Sequence, residues 1–168
     1  MVEKNIKKFN KETLKNNLTK VASFQALIFS IFLAIVYADR WIIEELFKPY
    51  NLLHYTRLFH WVFFDVLSNV IYACLGLSYV ITKGLRGWKV GAAIFLEGII
   101  LIRLGMEDLL YYVLFKEVVP SKLPWLNYNP VLVASTFAVS KAGLTLSVLT
   151  SILITVTIWL ILIYRSKI

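Results

Sequence analysis

A chain of 168 residues that is 59% hydrophobic and 17% charged is not composed like a soluble domain, and helices solvated by lipid account for it. Its net charge of +8 would suit nucleic acid or a membrane surface. The basic residues flank apolar runs and form no groove, which decides for the membrane and against nucleic acid. A single cysteine, Cys74, excludes an intramolecular disulfide and a cysteine-based zinc site, and its apolar surroundings predict a packed, inert thiol.

In chain order, residues 1–20 set Val2, Ile6, Phe9, Leu14 and Leu18 among lysines and asparagines, the pattern of a basic amphipathic helix on an anionic membrane surface. Val21 to Ala38 carries no charge and predicts the first membrane helix; it is too long, and its basic head too extended, for a secretory signal peptide. Asp39, Arg40, Glu44, Glu45 and Pro49 then mark the exit from the hydrocarbon. The second helix, Leu58 to Thr82, repeats polar and small residues at helical spacing, and Arg57, Trp61, Asp65, Asn69, Tyr72, Gly76 and Tyr79 predict one protein-facing stripe, with His60 off it.

The basic connection Lys83 to Lys89 is short enough to make helices 2 and 3 an antiparallel hairpin. In helix 3, Gly84, Gly91, Gly98 and Gly105 recur every seven residues, predicting a seam where another helix approaches closely, with Phe95, Ile99, Met106 and Leu110 turned to lipid. The same run holds Glu97, Arg103, Glu107, Asp108 and Tyr111. Ionisable groups at such depth normally face a protein interior or a wet cavity, at roughly 2.5 to 3.5 kcal/mol each for Asp or Arg at a helix centre. Pro120, Pro124 and Pro130 stiffen the following loop. A helix from Pro130 to Arg165 would outrun the bilayer, so a bend or break is expected near Lys141-Ala142-Gly143; beyond it, Gly143, Ser147, Ser151 and Thr155 form a second small-residue face.

The expected fold is therefore an all-α integral membrane protein of four transmembrane helices, spanning residues 21–168, with the 2/3 hairpin antiparallel and both termini cytoplasmic, in the cell membrane as a multi-pass protein. The candidate catalytic residues are Asp65, Glu107 and Asp108, as acid, base or cation ligands. Arg57, His60, Asn69, Tyr72, Glu97, Arg103, Tyr111 and Lys141 are the candidate substrate contacts, all converging on the outer half of the bilayer. Adjacent carboxylates point about 100° apart on a helix, so Glu107 and Asp108 do not chelate one ion together, and no metal site is assigned. No phosphate loop, nucleophile elbow or haem motif is present, and the residues name no cofactor. Three functions fit: a protein that binds or acts on a lipid or isoprenoid head group; a small proton- or ion-coupled transporter subunit working through Glu97; or a structural or assembly subunit whose charges are ion pairs. Membrane lipids, and further copies of the chain, are the expected partners.

Overall fold

The computed structural model describes residues 2–120, 123, 126, 129, 134 and 140–165, with side chains from Lys15 onward except those of Leu53, Arg57, Phe64, Asp65, Tyr164 and Arg165. The described residues are mostly helical, with no strand among them. Three of the helices, Lys15–Phe47, Leu58–Lys83 and Lys141–Ile163, are long and apolar enough to cross a membrane.

Helix α1 runs Val2–Trp41 without interruption, because the sequence holds no glycine or proline before Pro49. Its 40 residues measure about 60 Å at 1.5 Å each, twice the hydrocarbon thickness, so the basic segment and the first apolar run share one rod. Ile28, Phe32, Ile35, Val36 and Asp39 are its buried stripe, while Leu27, Phe29 and Tyr37 are exposed. Its last turns widen over Ile42–Phe47, where Lys48 N–H bonds to Ile43 C=O at 3.0 Å. That turn lies just ahead of Pro49, whose ring would clash with a carbonyl of a regular α-turn.

The second crossing is assembled from α2 (Thr56–His60), a wide π-helical turn over Trp61–Leu67 and α3 (Ser68–Lys83). The wide turn shifts the faces of α2 round the axis relative to those of α3. As a result the single polar stripe is not realised: Tyr72 and Gly76 are buried, but Trp61 is 57% exposed. Cys74 is also exposed, and the packed thiol expected from its neighbours is not found.

Gly84, at φ +66°, and a 3-10 turn over Leu85–Gly87 lead into α4 (Trp88–Arg103). Helices α3 and α4 touch most extensively of all pairs. Gly76 and Gly91 let their backbones meet: a Cβ on either would stand 2.5 or 2.6 Å from the other's carbonyl oxygen. Gly98 accommodates the ring of Tyr72, whose Cγ would lie 2.1 Å from an added Cβ. Gly91 and Gly98 thus serve the expected seam. Gly84 and Gly105 do not, since both take left-handed backbone conformations at chain turns.

Gly105, at φ +84°, also breaks the next apolar run. The continuous helix expected from the Lys83 to Lys89 connection past Tyr112 is divided into α4 and α5 (Met106–Leu114). A carbonyl released by such a break is costly within a membrane unless a neighbour bonds it. Here Ser147 Oγ donates to Leu104 C=O at 2.8 Å, and Asn129 Nδ2 donates to Ser147 Oγ at 2.8 Å, all three residues being buried. Phe95, Met106 and Leu110, expected to face lipid, are half-buried against the core of Ile28, Phe32, Tyr72, Ile94 and Trp159. Helix α5 closes with Lys116 at φ +54° and Glu117 N–H bonded to Tyr112 C=O at 3.1 Å, a Schellman motif without glycine.

Helix α6 spans Lys141–Arg165. Ser140 is its N-cap, its Oγ accepting Gly143 N–H at 3.1 Å, so α6 starts beside the point where a bend or break was expected; most of the run from Pro130 to Val139 lies outside the described residues. Gly143, Ser147, Ser151, Thr155 and Trp159 form its buried stripe, and Leu149, Leu153, Val156, Leu160 and Ile161 are exposed on the other side. Polar and small residues lie inward and large apolar ones outward, as lipid solvation requires.

Candidate functional site

The polar residues gather at two centres. The first surrounds Glu97, which α4 carries on its buried side at 1% exposure. One oxygen, Oε2, accepts both Gln25 Nε2 from α1 at 3.0 Å and Trp159 Nε1 from α6 at 2.7 Å. One carboxyl group therefore ties three helices together. Phe24 closes the arrangement, stacked on Trp159 at 5.8 Å and edge-on to Tyr79 at 5.4 Å. Tyr72, fully buried over Gly98 and against Phe32, has a hydroxyl with no hydrogen-bond partner among the described residues.

The second centre lies at the far end of α1. Successive helical side chains diverge by about 100°, so Asp39 and Arg40 serve different neighbours. Asp39, 4% exposed, meets His60 Nε2 at 3.1 Å, joining α1 to α2. Arg40 turns to α5: its Nη1 donates to Tyr111 Oη at 3.1 Å and to Glu117, and its Nε lies 3.7 Å from Glu44. Its guanidinium also stands 4.9 Å from the Phe115 ring centroid. Glu44 in turn accepts Lys48 Nζ at 2.6 and 2.7 Å. Half-buried Glu107 is within electrostatic range of Asp108 and Asp39.

Among the described side chains, the candidate residues fall at one or other of these centres or outside both. Glu97 and Tyr72 belong to the first; His60, Tyr111, Glu107 and Asp108 belong to the second. Asn69 is half-buried in α3, whereas Arg103 at the end of α4 and Lys141 at the start of α6 are exposed. The side chains of Asp65 and Arg57, and with them the expected Asp65 contacts, lie outside the described residues. Among the described residues no group of three or more His, Cys, Asp and Glu is placed to hold a metal ion. A depression of about 450 Å³, lined by Tyr37, Arg40, Trp41, Glu44 and Glu45, is an open hollow along α1 and not a cavity between helices.

Sequence reasoning missed Gln25, Trp159 and Glu117. Gln25 is the one amide side chain in the run from Val21 to Ala38, and Trp159 the one tryptophan after Pro130. Either singularity was a signal. Glu117 could not be found, because its reach to Arg40 depends on the left-handed turn at Lys116.

Together the helices and their inward polar ties define a helical membrane protein. Against protein-family models, curated proteins and solved structures, the chain finds no match.

Proposed function

We propose that the chain is a membrane-embedded scaffold, an assembly subunit of the cell membrane. In this reading it crosses four times, with α3 and α4 as an antiparallel hairpin, α4 and α5 together as the third crossing, and both termini cytoplasmic where the basic flanks belong. Glu97 carries the reading: a carboxyl group at 1% exposure that receives donors from two other helices serves cohesion and has no opening toward a substrate. Arg40, engaged by Tyr111, Glu44 and Glu117, supports it in the same way. What remains for partners is the apolar exterior, which faces lipid and further subunits or copies.

A second reading has one observation behind it. Glu107 lies within electrostatic range of both Asp108 and Asp39, and clustered acids attract a cation. That would suit a lipid or isoprenoid head-group site, or a proton-coupled transporter. The substitutions Glu107→Gln and Asp108→Asn separate the two. The scaffold reading expects both variants to lose thermal stability in detergent. A site would respond with unchanged or higher stability and loss of a bound lipid or cation in native mass spectrometry, because charges clustered for function repel one another when empty. That second result would overturn the scaffold.

A further inference from the structure

The net charge of +8 is concentrated at one end of the molecule. Phe24 of α1 touches both Tyr79 of α3 and Trp159 of α6, and Tyr79 in turn borders Gly87 in the turn. The first half of α1, the Lys83 to Lys89 turn and the carboxyl end of α6 therefore share that end. In sequence, the segments before Val21, from Lys83 to Lys89 and after Tyr164 hold eleven of the 18 basic residues and two of the 10 acidic ones, Glu3 and Glu12. The rest of the sequence holds seven bases and eight acids, Glu97 among them. No acid occurs between Glu12 and Asp39 or between Asp65 and Glu97, so the turn has no carboxylate nearby in sequence to neutralise it.

The same turn is conspicuously apolar. Leu85 is 84% exposed, Ile81 82% and Trp88 57%, interleaved with Lys83, Arg86 and Lys89, which are exposed too. Exposed apolar side chains among cations belong at the boundary between head groups and acyl chains, where tryptophan is also favoured. A nucleic acid would answer the charge and leave Ile81 and Leu85 in water.

We propose that this turn binds the phosphate head groups of anionic lipids in the cytoplasmic leaflet, Leu85 and Trp88 seating it among the upper acyl carbons. The proposal rests on the membrane-spanning reading and adds to it a lipid class and a place. The full chain in detergent is titrated with phosphatidylglycerol or phosphatidylcholine of the same acyl composition, and bound lipids are counted by native mass spectrometry. Each basic side chain at a charged surface contributes about fivefold in affinity, so a phosphatidylglycerol preference of about tenfold or more is expected. In Lys83→Gln/Arg86→Gln/Lys89→Gln the preference should fall to about twofold or less, with phosphatidylcholine binding and helicity unchanged. If that variant does not fold, Arg86→Glu alone carries the test. Equal binding of both lipids to the unaltered protein, a preference that survives the substitutions, or displacement of phosphatidylglycerol by a short RNA would overturn the proposal. Failure to bind either lipid would overturn the membrane reading along with it.

Discussion

Replacing Glu97 by leucine removes the acceptor of two donors at once, the half-buried Gln25 amide and the buried Trp159 indole N–H. A buried donor left without a partner costs about 1 to 3 kcal/mol in water-soluble proteins. Polar contacts between membrane helices average about 0.6 kcal/mol and reach about 1.7, because the separated helices find other partners. Two lost contacts therefore predict a total of about 1 to 4 kcal/mol for Glu97→Leu. Trp159→Phe also loses packing, since Trp159 is 3% exposed and stacked on Phe24, so its single-variant loss mixes two effects. The cycle separates them: with Leu at 97 the indole N–H has no acceptor to lose, so Glu97→Leu/Trp159→Phe should cost about 1 kcal/mol less than the two single losses combined. The assay is equilibrium unfolding of the purified protein in mixed micelles of rising denaturing-detergent fraction, followed by far-ultraviolet circular dichroism. Additive losses would show that Trp159 and Glu97 are not coupled, and would remove the observation on which the scaffold reading stands.

Two further outcomes are expected. Gly98→Ala would put a Cβ 2.1 Å from Tyr72 Cγ, an atom too close to its own backbone to swing aside, so a loss at or above the usual 1 to 3 kcal/mol of overpacking should appear in the same unfolding assay; a variant as stable as the parent would refute the close approach of α3 and α4. In a Cys74→Ser background, single cysteines at Ser121 and Ser166 should react with a membrane-impermeant thiol reagent from opposite sides of intact cells, and labelling of both from outside would refute the four-crossing topology.

The helices were legible in the sequence where one physical rule decided the outcome. Lipid solvation reverses the usual burial pattern, so small residues every fourth position from Gly143 to Thr155 mark the inward face of α6, and the structure buries them. Pro49 and the charged pair before it mark the end of the first crossing in the same direct way. A glycine inside an apolar run is ambiguous by contrast, for it permits both a close helix approach and a left-handed turn. Gly91 takes the first role and Gly105 the second at an identical heptad position, and nothing local to either residue separates them.

That ambiguity also hid the arrangement of the polar residues. Bringing Glu97 to the same region as Asp108 and Tyr111 assumes a constant 100° per residue from 97 to 111, and the left-handed Gly105 resets the count between Glu97 and the other two. The wide turn over Trp61–Leu67 does the same to the second crossing, so Trp61 and Tyr72 no longer share a face. Each irregularity lies within the described path of a polar residue that the periodicity had aligned. Each is also held by a tertiary or side-chain bond: Ser147 to Leu104 C=O at the break, and Ser68 Oγ to Phe63 C=O at 2.9 Å in the wide turn. The break is thus fixed by a residue 43 positions away, which a local pattern cannot contain. The division of the described polar groups into a Glu97 centre and an Asp39–Arg40 centre arises from these resets.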